Sequence, residues 1–424
     1  MSNSIDIADL ANPQLTELQQ AAVDYGETLD VDFNRDPLLD EAMLATGLSD
    51  FGPNDYLQRL DLLLDEWNSD TGLTGIARLS LRNKLLSFAK SRLLIQDLLK
   101  RHPEIHEQRI ERPIIVAGLP RSGTTHLLNL MAADPRLRSL PLWESYEPVP
   151  MPGEKASGDN DDPRFQRCQQ QWDMMQQMTP LLAAMHPMNP EHIHEELELM
   201  GPDFASYNFE WLSHSPRWRD HYLSTDQTPR YDYLKTVLKI LQWQDQQRLG
   251  DHYAVRRWVL KCPQHLEQLP VLQKTFPDAT IAITHRDPVA VIQSAITMLA
   301  YGQRINRRKV LTTELIQYWS QRIRVLLEQY IVDRPRLAAS QSIDVPFHTF
   351  MADDIAMIRK IYDKAQLPYS DEVHRALLNY LREHPRGKEG RIQYHLERDF
   401  GTAPDNLRKA FTFYFEKSPA KPEL

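Results

Sequence analysis

Glycine, cysteine and long apolar runs are all scarce in this chain of 424 residues. The 15 glycines are about half the usual share of ~7%, which argues against collagen-like chains and glycine-rich linkers. The two cysteines, Cys168 and Cys262, belong to no metal-spaced cluster, so we expect neither a disulfide framework nor a zinc site. No run of about 18 apolar residues occurs, and the N-terminal residues lack the basic stretch and apolar core of a signal peptide. These absences predict a soluble, cytoplasmic protein without a transmembrane segment.

Basic residues are fewer than acidic ones, so the formal net charge is −9 and the isoelectric point is near 5.9. General nucleic-acid binding needs a basic excess on at least one face, so we do not expect a nucleic-acid partner. Any anion site must be built locally, against the field of the whole protein. The hydrophobic share of 42% and the charged share of 25% are typical of a globular chain.

The first part of the chain, residues 1–110, has the apolar spacing of helices and carries no residues that suggest chemistry. Two sets of apolar side chains recur at intervals of three and four: Leu57, Leu60, Leu63, Leu64 and Trp67, and then Leu81, Leu85, Phe88, Leu94 and Leu98. We therefore predict a helical N-terminal region.

From residue 111 to 424 the pattern changes to short apolar runs alternating with helical stretches. Runs rich in β-branched residues suit strands that are buried on both faces of a parallel sheet. The predicted strands are 114–117, 258–260, 281–283 and, more weakly, 343–347, and a long helix is predicted over 311–331. Alternating strands and helices predict an α/β fold with a mainly parallel sheet flanked by helices.

The first strand leads directly into a loop with two glycines five residues apart, Gly118 and Gly123. A strand, a glycine turn and a helix N-terminus form an anion cradle, because free backbone N–H groups and the positive helix end point to one place. The spacing is that of a Walker A loop, but Thr124 stands where that motif requires lysine. The fixed charge comes from Arg121 instead, and hydroxyl groups are available on Ser122, Thr124 and Thr125. The alternative is an ordinary strand-to-helix turn.

A second candidate anion site follows the third predicted strand. Asp287 and Pro288 make a good helix start, with aspartate as N-cap and proline at the first helical position. Arg286 therefore lies just outside a helix N-terminus, and Ser294 follows about two turns along. A surface arginine and an unrelated helical serine remain the alternative.

The Gly-Leu-Pro-Arg-Ser-Gly-Thr-Thr segment resembles the 5′-phosphosulfate loop of sulfotransferases that use 3′-phosphoadenosine 5′-phosphosulfate (PAPS). Arg121 stands where cytosolic members carry lysine, as in a bacterial branch of that superfamily. Arg286 and Ser294 resemble its 3′-phosphate site, and the basic loop around Lys388 resembles the one that closes over the 3′-phosphate. The resemblance covers about residues 112–300 and weakens on either side.

This resemblance implies a PAPS-dependent sulfotransferase with a P-loop-like sheet, acting on a hydroxyl of a small or lipid-like acceptor, without a metal. It implies an acceptor-pocket insertion at about 150–250, where we expect the stretch containing His192 and His194, with Trp211 and Trp218, to shape the pocket. It also implies the donor-binding residues, which are Arg121, Ser122, Gly123, Thr124, Thr125, Arg286, Ser294 and Lys388. His192 and His194 are two positions apart, which would put them on different helical faces and argues against a metal site.

Sulfuryl transfer needs charge neutralisation at the leaving group and a base for the acceptor proton. Arg121 and Lys261 are the candidates for neutralisation, since Lys261 ends the second predicted strand at the edge where such sheets bind ligands. For the base we favour Glu144, which follows the phosphate-loop helix, over His265, which only loosely matches the histidine of the cytosolic branch. A third possibility is a residue that these motifs do not identify.

Two other functions stay open at this point. One is a P-loop nucleotide kinase, against which Thr124 in the lysine position counts. The other is a non-catalytic nucleotide-binding scaffold whose helical N-terminal region contacts partners. The sequence predicts neither the acceptor nor the oligomeric state.

Overall fold

The computed structural model of the protein describes residues 4–423, so residues 1–3 of the predicted helical region and residue 424 lie outside the described chain. Seven β-strands occur in this part, all of them short. They are β1 (Ser4–Ile5), β2 (Ile114–Gly118), β3 (Leu137–Arg138), β4 (Arg257–Lys261), β5 (Thr280–His285), β6 (Ser342–Pro346) and β7 (Arg391–Ile392).

Five of the strands form one parallel sheet in the order β3-β4-β2-β5-β6. Every residue of β2 and β5 is buried, as expected for apolar strands covered on both faces. Because all five strands run the same way, their carboxyl ends meet at one edge, where doubly wound sheets bind ligands. Register places Val116 of β2 beside Lys261 of β4, and Gly118 beside Thr284 of β5.

Helices make up most of the rest of the described chain. The first group is α1 (Glu17–Glu27), α2 (Arg35–Thr46), α3 (Tyr56–Ser69) and α4 (Gly75–Arg101). The second group is α5 (Thr124–Ala132), α6 (Leu142–Tyr146), α7 (Pro163–Met178), α8 (Leu182–Met185), α9 (Leu197–Met200), α10 (Asn208–Leu212), α11 (Pro216–Ser224), α12 (Thr228–Leu249) and α13 (Leu269–Thr275). The third is α14 (Pro288–Asn306), α15 (Thr312–Asp333), α16 (Phe347–Ala352), α17 (Asp354–Ala365), α18 (Asp371–Glu383), α19 (Leu396–Phe400), α20 (Pro404–Lys409) and α21 (Thr412–Lys417). Short 3₁₀ segments occur at Pro103–Glu107, Gly201–Asp203, Gly250–His252, Pro263–Glu267 and Arg334–Arg336.

The N-terminal helices share their cores with the rest of the molecule. Helices α2, α3 and α4 bury their apolar faces in one cluster with four aromatic residues from the 200–222 stretch: Phe204, Phe209, Trp218 and Tyr222. The second half of α4 instead joins the main core around the sheet through Leu94, Ile95 and Leu98. The boundary predicted near residue 110 therefore separates elements along the sequence, and the two parts are packed against each other.

The α/β fold predicted from the sequence is confirmed. The first and last residues of each predicted strand differ by at most two positions from those of an observed strand. Strand β3 is not predicted, because two residues are too few to show any periodicity. The stretch between α6 and α7 is a loop that ends at buried Asp162, which caps α7. No helix between residues 4 and 423 is long and apolar enough to cross a membrane.

Candidate active site

The loop between β2 and α5 adopts two left-handed backbone positions. Gly123 has φ 87°, which glycine tolerates freely, whereas Arg121 has φ 63°, which is uncommon for a residue with a side chain. Gly123 immediately precedes α5, and no side chain caps the N-terminus of this helix. Its first N–H groups are therefore free to bind an anion at the positive end of the helix dipole.

The three hydroxyl groups of this loop have different surroundings. The Ser122 hydroxyl is buried and lies 2.5 Å from Leu119 O and 2.7 Å from Thr284 Oγ1, so it ties the loop to β5. Thr124 and Thr125 instead line a large cavity in front of the loop. Of the predicted hydroxyl donors, the threonines face the space that a ligand would enter.

Lys261 lies at the carboxyl end of β4, next to the phosphate loop. Its ammonium group forms an ion pair with Glu195 and lies 3.4 Å from Thr125 Oγ1. The side chain is almost fully buried, and a buried charge of this kind has to be paired. Lys261 therefore connects the loop to Glu195, which lines the cavity.

The Arg121 guanidinium is held at the junction of the two predicted anion sites. Its Nε donates to Ser294 Oγ at 2.9 Å, and its Nη1 donates to Met185 O at 2.6 Å. Ser294 lies on α14 and also contacts the Tyr394 hydroxyl at 2.9 Å. Arg121 of the predicted 5′-phosphosulfate site is thus in direct contact with Ser294 of the predicted 3′-phosphate site.

Arg286 follows β5 and contacts the same loop. Its Nη1 donates to Arg121 O at 2.7 Å, and its guanidinium carbon lies 4.1 Å from the centre of the Phe347 ring. The other two donor groups bind the carboxylate of Glu423 at 2.7 and 2.8 Å. Asp287 caps α14 by accepting from Val289 N–H at 2.9 Å, as the sequence predicts.

Lys388 lies exposed in the turn between α18 and β7. Arg386 of the same turn lies 3.3 Å from His126 Nε2, near the start of α5, and also pairs with Asp354. The turn is therefore close to the N-terminus of α5, in the region where a closing basic loop is expected.

Glu144 is in helix α6, and neither Arg121 nor Lys261 is among the hydrogen-bond or ion-pair partners of its carboxylate. Its carboxylate is paired with Arg138 at 2.7 Å, and Arg138 is also bound to Asp245 at 2.8 Å. Glu144 lines a second cavity of about 760 Å³ that does not include the phosphate loop. This placement argues against the role of base that the sequence suggested for Glu144.

His265 lies in the Pro263–Glu267 turn and is completely buried. Its Nε2 is 3.0 Å from Glu196 Oε1, and its Nδ1 is 2.9 Å from the Tyr231 hydroxyl. Because both ring nitrogens have protein partners, His265 has no free nitrogen to accept a proton from a bound molecule. It fixes the turn after β4 instead.

The cavity wall holds polar residues that the sequence motifs do not identify as catalytic, namely Glu195, His186 and His194, and His192 lies beside the other two histidines. The rings of His186, His192 and His194 lie 5.7 to 6.4 Å apart between centres. Burial and the nearby Lys261 lower the pKa of His192 to about 4, and burial also holds the pKa of His186 and His194 well below the usual value. The expectation that His192 and His194 point to different helical faces is wrong, because this stretch is not helical.

A cavity of about 990 Å³ extends from the loop towards the N-terminal helices. Arg121, Thr124, Thr125 and Glu195 stand at its polar end. The apolar part of the remaining wall includes Leu73, Ile76, Leu79, Met174, Leu182, Trp211, Met298, Leu299, Leu315 and Trp319, and charged side chains such as Lys84, Arg167, Glu198 and Arg307 also line the cavity. Trp211 lines the cavity as expected, whereas Trp218 is buried in the core below α3 and α4.

Metal-ligand geometry is not found among the described residues, since no group of three or more His, Cys, Asp or Glu side chains is arranged to hold an ion.

The sequence profile of the sulfotransferase family matches residues 113–371, which is more than half of the chain. No curated protein matches the sequence. Among solved structures, sulfotransferase STF1 from Mycobacterium tuberculosis H37Rv is 27% identical with a TM-score of 0.77, and the match covers 91% of this chain and all of that one. Sulfotransferase STF9 from Mycobacterium avium is 24% identical with a TM-score of 0.81, covering 93% of this chain and 99% of that one. The likeness to STF9 concerns the fold alone.

Proposed function

The chain belongs to the sulfotransferase family, and from this premise we propose that it transfers a sulfuryl group from PAPS to a hydroxyl group of a small or lipid-like acceptor. One observation carries the proposal. The Lys261 ammonium contacts both Thr125 of the phosphate loop and Glu195 of the cavity wall, so donor-binding and acceptor-binding groups meet at one side chain.

The residues at the polar end of the cavity fit a phosphosulfate group. The uncapped N-terminus of α5 offers free N–H groups, and Thr124 and Thr125 add hydroxyl donors beside the cationic groups of Arg121 and Lys261. Donors arranged before the reaction stabilise charge as it develops on the leaving phosphate. Arginine cannot give up a proton, so Arg121 acts through its charge and hydrogen bonds.

We assign the base to Glu195. Its carboxylate lies at the cavity wall beside Lys261, within the same group as the phosphate loop. The acceptor oxygen forms the new S–O bond while the bond between sulfur and the 5′-phosphate oxygen breaks, and Glu195 takes the acceptor proton. Adenosine 3′,5′-bisphosphate leaves with its added negative charge balanced by Arg121 and Lys261.

The cavity wall supports an acceptor with a large apolar body and a hydroxyl group at one end. At about 990 Å³ the cavity is at the upper end of the range for small-molecule sites, and more of its wall surface is apolar than polar. The kinase alternative lacks the lysine after Gly123, where Thr124 stands. The predicted cytoplasmic location and the absence of a metal stay predictions.

Thermal unfolding in the presence of nucleotides tests the proposal. Adenosine 3′,5′-bisphosphate should raise the melting temperature, because a ligand bound only by the folded state adds about 2.7 kcal/mol at a hundredfold excess over its dissociation constant. The control is ATP with Mg²⁺ at the same concentration. Stabilisation by ATP with Mg²⁺ and none by the bisphosphate would replace this function with that of a kinase.

A further inference from the structure

The Arg286 guanidinium already holds an anion in the described structure, the carboxylate of Glu423. Nε and Nη2 of Arg286 lie 2.7 and 2.8 Å from the two carboxylate oxygens. This is the forked geometry in which arginine also binds phosphate groups. The two donors that a 3′-phosphate would use are thus occupied from within the chain.

The backbone of Glu423 is held as firmly as its side chain. Its N–H donates to Asp287 Oδ2 at 2.8 Å, and its carbonyl oxygen accepts from Arg408 at 3.0 Å. Arg408 binds Asp287 as well, at 3.1 Å, so the three residues form one network. Ala420, just before, is packed in the main core. These contacts hold the segment from Ser418 to Glu423 in place, and the Glu423 carboxylate points towards Arg286.

Arg286 cannot offer the same donors to a second anion. Its remaining Nη1 donates to Arg121 O, and one face of the guanidinium is covered by the Phe347 ring. A phosphate that uses Nε and Nη2 must displace the Glu423 carboxylate, since the N–H groups on that edge of the guanidinium already donate to the two carboxylate oxygens. The pair is partly exposed, with 21% of the Arg286 side chain and 34% of the Glu423 side chain accessible, so the exchange is reversible at modest cost.

We propose that Glu423 is an intramolecular ligand of the Arg286 site and competes there with the 3′-phosphate of the donor nucleotide. The inference rests on the proposed function for the identity of that nucleotide. Binding of the nucleotide releases Glu423, and return of Glu423 to Arg286 favours departure of the spent bisphosphate. The apparent affinity for the nucleotide is the intrinsic affinity multiplied by the fraction of molecules in which Arg286 is free.

Calorimetric titration of Glu423→Gln with adenosine 3′,5′-bisphosphate tests the competition. The variant keeps the backbone contacts of residue 423 but removes the charge, and it should bind the bisphosphate about fivefold more tightly than the unmodified protein. Adenosine 5′-monophosphate, which lacks the 3′-phosphate, should bind both proteins equally. The matched control is Glu416→Gln, which removes the same charge from an exposed position on α21. It should bind the bisphosphate like the unmodified protein.

The remaining outcomes count against the inference in distinguishable ways. Equal or weaker bisphosphate affinity in Glu423→Gln overturns the competition and leaves the proposed function intact. An equal gain in Glu416→Gln, or an equal gain for the monophosphate, would assign the effect to net charge and also overturns it. Binding of the bisphosphate to none of the proteins overturns both the competition and the proposed function.

Discussion

Lys261 is the residue on which the proposed chemistry depends most directly. Its ammonium is buried between the Thr125 hydroxyl and the Glu195 carboxylate, and a buried cation of this kind needs a partner at every stage. A bound phosphosulfate provides a second anionic partner on the Thr125 side. On the proposed function, the hold of Lys261 on Glu195 is then shared, and the Glu195 carboxylate can also bind the acceptor hydroxyl.

At the same scale, Glu195→Gln should lower kcat on the order of 10²- to 10⁴-fold, because the amide cannot take a proton from the acceptor. Affinity for adenosine 3′,5′-bisphosphate should not fall, since the lost carboxylate is itself an anion beside the phosphate site. Initial rates with labelled PAPS and calorimetric titration with the bisphosphate measure the two effects separately.

Glu144→Gln is the matched comparison, because it makes the same change at the residue that the sequence favoured as base. The Glu144 carboxylate is bound to Arg138 and faces the other cavity, so kcat should stay within about twofold once folding has been checked by thermal unfolding. The reverse result, with turnover lost in Glu144→Gln and kept in Glu195→Gln, would restore the prediction made from the sequence.

At the scale of elements, a polar pair joins β6 to the last residue of β5, which immediately precedes Arg286. His285 closes β5 and lies 2.9 Å from Asp344 of β6, which also binds Arg334 at 2.9 Å. Burial alone would raise the pKa of Asp344, but the hydrogen bonds from His285 and Arg334 outweigh it and lower the pKa to about 2. The carboxylate is therefore more stable in the folded protein than in the unfolded chain.

The lowered pKa of Asp344 makes the free energy of unfolding depend on pH. Because the folded-state pKa of Asp344 is below its unfolded value, the stabilisation is complete above about pH 5 and is lost as pH falls towards about 2. Asp344→Asn should therefore reduce the free energy of unfolding at about pH 6, and the difference from the unmodified protein should shrink at about pH 3. Urea unfolding at both pH values measures it. Asp363→Asn, at an exposed position of α17, is the control, and an equal effect there would contradict this role of Asp344.

Elements and loops were predictable from the sequence where the signal is local. The buried run at 114–117, the glycine spacing of the phosphate loop and the Asp287–Pro288 helix start all depend on neighbouring residues. The proposed base, Glu195, was not predictable, because its placement beside Lys261 depends on contacts between distant residues. Lys261 meets Glu195 from 66 positions away, and His265 is tied to Glu196 from 69 positions away. The relative orientation of His192 and His194 was predicted wrongly, because the argument from their spacing assumed that this stretch is a helix.

At the scale of the whole molecule, an acidic protein holds a cationic site. The net charge is −9, yet Arg121, Lys261 and Arg286 converge at one edge of the sheet. Internal carboxylates accompany two of these cations: Glu195 pairs with Lys261 and Glu423 with Arg286. The site therefore carries its own counter-charges, and on the proposed function a polyanionic nucleotide replaces Glu423 at Arg286 and joins Glu195 at Lys261.

The N-terminal helices complete the acceptor end of the same cavity, since α4 contributes Leu79 to its wall. Leu79→Trp should fill part of this apolar end, and we expect affinity for the apolar anion 1-anilinonaphthalene-8-sulfonate to fall about tenfold, or 1.4 kcal/mol. Affinity for adenosine 3′,5′-bisphosphate should stay unchanged, because Leu79 is not among the described partners of Arg121 or Arg286. Calorimetric titration of both ligands measures this split. Leu44→Trp makes the same change at a position that is 86% exposed on α2 and should alter neither affinity. Loss of bisphosphate binding in Leu79→Trp would mean that the helical region supports the donor site, and that the acceptor enters elsewhere.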